Sequence, residues 1–246
     1  MTGRTLLGVW AHPDDEAYLS AGLMAGFRSR GERVVMVTAT AGERGTSDPE
    51  AWPPARLAAV RRAELRASLT ALGVHEHHVL DFEDGRCGER DGSGQIARLM
   101  AEVAPDLIVT FGPDGMTGHP DHRAVSAWTT TAWASARPEA ELWYATLTPG
   151  FHRRWGALND RAGLWAEQPE PPCTPRGGLA AELRLTDELL DAKIAALRAH
   201  ASQTRALEAL VGPSTFREWW RTEWFRAPGF HRHEPHGRRA REGAST

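Results

Sequence analysis

Through its first 146 residues the chain alternates short apolar runs with longer stretches of helical periodicity, and few folds accommodate that pattern. Thr5 to Trp10 is an apolar run that ends at a histidine-proline step and reads as a strand. Ala17 to Arg30 carries apolar residues at helical spacing and stops at Gly31, a residue type that favours helix C-termini. Val34 to Ala39 is β-branched and reads as a second strand, residues 54–72 as a long amphipathic helix stopped by Gly73, and Val79 to Phe82 as a short strand. Ile96 to Val103 reads as helix, Leu107 to Phe111 as a buried strand, Asp121 to Ala136 as helix and Glu141 to Thr146 as another strand. Strands alternating with helices predict an α/β fold whose parallel or mostly parallel sheet is covered by helices on both faces. Order weakens beyond residue 150. The proline- and glycine-rich stretch 167–178 reads as a surface loop, after which Thr186 caps a helix through Ala201, with Asp187 and Glu188 in its first turn.

Bulk properties narrow the function classes. A chain of 246 residues buries roughly 70–75% of its unfolded surface and needs no covalent staples. Residues 1–230 are expected to form a single domain, with 231–246, locally basic, as a flexible tail. The net charge of −3 is spread along the chain and gives no footprint for nucleic acid. With two cysteines, Cys87 and Cys173, a disulfide framework is excluded as a folding strategy. No signal-peptide layout is present, and no apolar run approaches the roughly 18 residues needed to cross a bilayer, so no membrane association and a cytoplasmic location are expected. Of the ten tryptophans, the late group Trp219, Trp220 and Trp224 reads as core or lid packing, with a sugar-stacking wall as the livelier alternative.

Two strand ends carry the chemistry. The first strand runs into Ala11-His12-Pro13-Asp14-Asp15-Glu16, and the strand ending at Phe111 runs through a glycine-rich turn into His119-Pro120-Asp121-His122. Ligands in open α/β sheets bind outside the carboxyl ends of strands. Like charges packed this closely are costly without a cation to offset them. Two histidines and a carboxylate with an open position fit catalytic zinc; the same ligand set also serves non-haem iron. A rival cluster, His75, His77 and His78, has no carboxylate at ligand spacing and reads as surface residues in a helix-to-strand connection. Glu16 reads as an acidic residue favouring a helix N-terminus, Asp114 as a turn residue, and Glu43 with Arg44 either as site residues or as a plain ion pair.

The paired motifs strongly resemble those of the LmbE/PIG-L family of zinc-dependent de-N-acetylases. Softer features agree with it: Thr40-Ala41-Gly42-Glu43-Arg44-Gly45, Arg61 with Glu64, and His200-Ala201-Ser202-Gln203. The resemblance spans roughly residues 5–205 and implies a Rossmann-like, three-layer fold with a mostly parallel central sheet flanked by helices. By resemblance, His12, Asp15 and His122 hold the metal, zinc or another divalent ion such as iron, and Asp14 is the general base. His119 helps polarise the substrate carbonyl, Asp121 orients a neighbouring histidine, and Arg61 and Asp84 match positions that contact substrate in some relatives. Some relatives carry an aromatic residue where this chain has Thr117, so a tyrosine-assisted step is not implied here. The expected reaction is hydrolysis of an N-acetyl, or other N-acyl, group on a small sugar-like or sugar-conjugate substrate, by water that the metal activates. A thiol-conjugate amidase or a phosphoesterase using the same metal is the alternative, a non-haem iron oxygenase a more distant one. Homo-oligomers are common in such a family. Specificity is expected from the loops at 43–53, 84–94 and 150–178, with Trp52, Pro53 and Pro54 as one wall.

Overall fold

The computed structural model describes residues 3–165 and 171–229. Its elements are, in chain order, β1 (Thr5–Trp10), α1 (Asp15–Leu19), α2 (Ala21–Ser29), β2 (Arg33–Thr40), α3 (Pro54–Ala71), β3 (Glu76–Phe82), α4 (Ser93–Val103), β4 (Leu107–Phe111), α5 (Pro120–Ala136), β5 (Glu141–Thr146), α6 (Pro149–Ala162), β6 (Ala181–Arg184), α7 (Asp187–Ala199), α8 (Ala201–Val211), α9 (Pro213–Trp219) and β7 (Thr222–Arg226). Seven strands form one sheet in the order β3-β2-β1-β4-β5-β7-β6. The first five are mutually parallel, and β7 runs antiparallel to both β5 and β6. β1 and β4 are apolar on both faces, as central strands under helices must be. A Cβ at Gly8 in β1 would lie 2.6 Å from the sulfur of Met36 in β2, so any larger residue there would require the Met36 side chain to move.

This topology fixes where a ligand can bind. β1 pairs with β2 on one side and with β4 on the other, so the strand order reverses between β1 and β4. The crevice at such a reversal, outside the carboxyl ends, is the usual ligand site of open α/β sheets. Both histidine motifs follow these two strands.

Several expectations are corrected. The helix expected over 17–30 is broken at Ser20, where both the backbone N–H and the hydroxyl bond to the carbonyl of Glu16. α2 restarts beyond it, with the Glu223 carboxylate accepting from the N–H groups of Gly22 and Leu23 at 2.7 and 2.9 Å. An anion at a helix N-terminus stabilises that restart. β3 begins earlier than its apolar residues indicate, so His77 and His78 lie within the strand rather than in a connection; His77 meets the Thr38 hydroxyl at 3.2 Å. The first part of the loop expected over 150–178 instead belongs to α6, capped by the Thr148 hydroxyl on the N–H of Phe151. The helix begun at Thr186 ends at Ala199, and His200 separates it from α8. Of the loop expected over 167–178, residues 171–178 carry one short 3-10 turn, while 167–170 and the tail from 231 lie outside the described residues. No helix among the described residues is long and apolar enough to cross a membrane.

Candidate active site

The turn after β1 carries an unusual backbone. Asp14 adopts φ 108°, a conformation side-chain-bearing residues rarely take. Five hydrogen bonds hold it there. Its N–H donates to the Glu16 carboxylate at 2.9 Å, and its carbonyl accepts from the N–H groups of Ala17 and Tyr18. The Arg61 guanidinium donates to the carbonyl of Pro13 and, at 3.2 Å, to the Asp14 carboxylate. Arg61 lies on the buried stripe of α3, between Leu57 and Leu65, and also donates to the carbonyl of Gly42. Gly42, at φ 65°, must be glycine, because a Cβ would meet that guanidinium at 2.3 Å. Glu16 is fully buried and accepts from the Ser68 hydroxyl at 2.8 Å and meets His200 Nε2 at 2.7 Å. Its role is therefore larger than favouring a helix dipole: it pins the loop that presents Asp14.

Three donor groups face one another beside this loop. His12 Nδ1 stands 3.1 Å from His122 Nε2. The Asp15 carboxylate lies 3.7 Å from His12 Nδ1 and 3.4 Å from His122 Nε2. Donor atoms around a tetrahedral zinc are separated by roughly 3.3 Å, given bonds of about 2.0–2.1 Å. The set fits that geometry, and two imidazole nitrogens facing each other require either a proton or a cation between them. The outer nitrogens orient the rings. His122 Nδ1 donates to the carbonyl of Gly115 at 2.9 Å, and the ring stacks on Phe111 with centroids 4.1 Å apart. His12 Nε2 meets Asp84 at 3.0 Å and Asp121 at 3.1 Å. His12, Asp84 and Asp121 also cluster tightly enough to hold a metal. Their carboxylates are already engaged by backbone, however, Asp121 by the N–H groups of Gly85 and Cys87 and Asp84 by that of Arg44. Orienting His12 is the better use of them.

His119 completes the group. It caps α5, its Nδ1 accepting from the N–H of Asp121 at 3.2 Å, which leaves Nε2 as the donor of the neutral ring. Its ring lies 4.8 Å from that of His12 and 5.0 Å from that of His122, centroid to centroid.

Electrostatics follow from burial. Burial raises the Asp14 carboxyl to about 6, against the pull of Arg61. Burial also raises Asp15. For His12 burial acts downward, but its bonds to Asp121 and Asp84 win and lift it to about 10. His122 is driven well below the usual histidine range by burial and by its histidine neighbours, so it stays a neutral donor. Asp84 and Asp121 are held below the usual carboxylate range: burial opposes this, and the His12 contact prevails.

These groups open into a cavity of about 690 Å³. His12, Asp14, Asp15, Arg61, Asp84, His119 and His122 all border it, whereas Asp121 lies behind His12 with no exposed surface. Arg44 and Gln203 stand at its polar side. Glu43 and Arg44 do not pair with each other. Glu43 accepts from the N–H of Asp84, and Arg44 pairs with Glu83. Asp114 is a turn residue, accepting from the N–H of Met116, and it also meets Arg226 at 3.3 Å. Trp52 lies under the Arg56 guanidinium and forms no part of the cavity wall, while Trp220 does; Trp219 is core. The contribution of α8 to this wall was not expected.

Residues 7–133 match the model of the PIG-L family, described as GlcNAc-PI de-N-acetylase. The chain belongs to this family. A "1D-myo-inositol 2-acetamido-2-deoxy-alpha-D-glucopyranoside deacetylase" of Corynebacterium glutamicum is 33% identical over 236 residues, covering 82% of this chain and 76% of the relative. Among solved structures, the N,N'-diacetylchitobiose deacetylase of Pyrococcus horikoshii superimposes with a TM-score of 0.61 at 21% identity, covering 91% of this chain and 83% of that one. GalB of Pseudomonas putida, a 4-carboxy-2-hydroxymuconate hydratase, does so with 0.59 at 18%, covering 94% and 98%. The fold is thus that of PIG-L proteins, and it also hosts a hydratase, so chemistry must be argued from the site. As a family member with deacetylase relatives, the chain is a hydrolase of amide bonds.

Proposed function

We propose that the protein is a zinc-dependent N-deacetylase that releases acetate from the amide nitrogen of a small sugar-conjugate substrate. The observation that carries this reading is the meeting of His12 Nδ1, His122 Nε2 and the Asp15 carboxylate at 3.1–3.7 Å beside a half-buried carboxylate, Asp14, that does not share their contact. His12, Asp15 and His122 would hold the ion. Zinc in such a site lowers the pKa of water to about 7 and polarises a carbonyl.

The chain's own residues supply the rest. Asp14 takes the proton of the attacking water, with Arg61 fixing the direction of its carboxylate. A positioned base of this kind contributes about 100- to 10,000-fold. His119 donates from Nε2 to the carbonyl oxygen as negative charge grows there, a contribution of about 3–4 kcal/mol per donor in comparable sites. Asp14 then passes its proton to the departing nitrogen, so that one water is consumed and acetate and a free amine leave. Asp121, together with Asp84, keeps His12 turned toward the ion. Arg61 and Asp84 also border the cavity, and a contact with the substrate's polar groups belongs to the proposal for them, beside their roles in holding Asp14 and His12. The C. glutamicum relative's name supports a glucosaminide as the amine-bearing half.

The test is incubation of metal-reconstituted protein with N-acetylglucosaminyl-inositol and simpler N-acetylglucosaminides, with detection of free amine, alongside elemental analysis of the protein as purified. Amine release that depends on added zinc is expected. Intact amides with every divalent metal tried would sink the reading.

A further inference from the structure

A second cavity, of about 530 Å³, shares Phe151 with the first. The first turns of α6, strand β6 and the turn from α9 into β7 frame it. Alternate residues of a strand share a face, so Glu182 and Arg184 of β6 stand on one side, paired with Trp224 and Thr222 of β7. Five arginines border this cavity, Arg153, Arg154, Arg176, Arg184 and Arg221, against two carboxylates, Glu182 and Glu218. In a chain whose net charge is −3, such a gathering of positive charge is not a general property of the surface.

The two carboxylates are already engaged. Arg176 pairs with Glu182 at 3.0 Å, and Arg221 pairs with Glu218 at 2.6 Å and with Asp187 at 2.9 Å. The bond from Arg221, reinforced by the nearby charges of Arg154 and Arg184, holds the Glu218 carboxyl below the usual carboxylate range. Arg153, Arg154 and Arg184 have no ion-pair partner among the described residues. Arg154 lies over the Trp155 ring at 4.5 Å instead. Arg153 turns back toward the start of its own helix, its Nη2 3.9 Å from where a Gly150 Cβ would be. The N-terminus of a helix is itself positive, so a cation is disfavoured there. Like charges gathered in one depression repel unless an anion offsets them. Trp224 adds a buried Nε1–H that has no acceptor among the described residues, and a buried donor is costly to leave unpaired.

We propose that this second cavity binds the phosphate group of a small phosphate monoester, at a site separate from the catalytic one. None of His12, Asp14, Asp15, His119 and His122 borders it, so the proposal stands whether or not the chain is an N-deacetylase. A phosphate monoester carries about −1.5 to −2 charges at neutral pH, which offsets most of the charge of three unpaired guanidiniums. Its oxygens accept paired N–H bonds from guanidinium groups in a fixed geometry that a halide cannot match. Beyond the phosphate, a cavity of about 530 Å³ leaves room for the organic part, with Trp155 and Trp224 on its wall.

The experiment titrates the metal-loaded full chain with phenyl phosphate and with inorganic phosphate, followed by calorimetry and tryptophan fluorescence. Phenyl phosphate should fill one site per chain with a Kd below about 1 mM at roughly 0.15 M ionic strength, where diffuse surface attraction is screened. It should bind more tightly than inorganic phosphate. Arg153→Gln and Arg184→Gln should each weaken it by at least about tenfold, as loss of a charge-assisted hydrogen bond does. Both side chains are exposed, so neither change threatens the fold, and unaltered circular dichroism checks this. Arg62→Gln, which removes the same charge from an exposed arginine of α3 outside the cavity, should leave the constant unchanged. No saturable binding overturns the proposal. Equal weakening by Arg62→Gln assigns the attraction to the overall charge and overturns it too. If removing the metal abolishes binding while the two cavity variants bind like the parent, the phosphate sits on the metal cluster and the second site is refuted. Equal constants for the two probes would assign the cavity to free phosphate and overturn the monoester.

Discussion

Lys193 and Glu223 allow a quantitative test of how the C-terminal strands are tied to the front of the site. Both side chains are 1% exposed, with Nζ 2.7 Å from the carboxylate. Lys193 also donates to the carbonyl of Tyr18 at 2.7 Å, while Glu223 accepts from the N–H groups of Gly22 and Leu23. Removing one member of a buried pair costs about 3–5 kcal/mol, but the two members are not equivalent. Lys193→Met leaves Glu223 with two backbone donors at a helix N-terminus, which offset part of its charge, so the low end applies, about 3 kcal/mol. Glu223→Leu orphans those two N–H groups, at about 1–3 kcal/mol each. It also strands an ammonium that burial already pushes toward its neutral form, Glu223 being what opposes that push. The loss should reach about 5 kcal/mol. In a chain of this size 1 kcal/mol corresponds to roughly 2–4 °C of Tm. Urea unfolding at pH 7, read by fluorescence and circular dichroism, gives both free energies. A Glu223→Leu protein as stable as Lys193→Met, or either within about 0.5 kcal/mol of the parent, would refute the reasoning, since surface changes give shifts of that size.

Three further outcomes concern the site. Asp14→Asn should bind metal normally by elemental analysis but lose about 100- to 10,000-fold in kcat; parental turnover removes Asp14 as the base. His12→Ala should retain far less zinc after dialysis, and undiminished zinc takes His12 out of the ligand set. Arg61→Lys keeps the charge but cannot reach Gly42, Pro13 and Asp14 together. Its kcat should fall at least about tenfold with metal content unchanged, and an unaltered kcat would show that Asp14 needs no such support.

Much of this was legible before any coordinates. β4 and β5 have the bounds their apolar runs give, and the two histidine motifs sit at the carboxyl ends their strands dictate. Periodicity carries that information because a buried strand has nowhere to place polar residues. Arg61 and Glu16 left fainter traces. Arg61 interrupts the apolar stripe of α3, which marks it as buried, but its partners are backbone carbonyls from two distant loops. The bond between Glu16 and His200 spans 184 positions, and neither residue type nor spacing announces it. No local residue signals the break at Ser20, because the anion that restarts α2 arrives from β7, near the other end of the chain. α6 is hard to read because its residues are largely polar; only its ends, Thr148 before Pro149 and the left-handed Gly163, carry strong local signals.

The backbone of Asp14 has an implication for stability. At φ 108° any side chain is a burden of about 1–3 kcal/mol that glycine would not bear. Asp14→Gly should therefore melt higher than Asp14→Ala; a lower melting temperature for the glycine protein would contradict this. On the proposed mechanism, the aspartate accepts that burden because only a carboxylate there can take the water's proton.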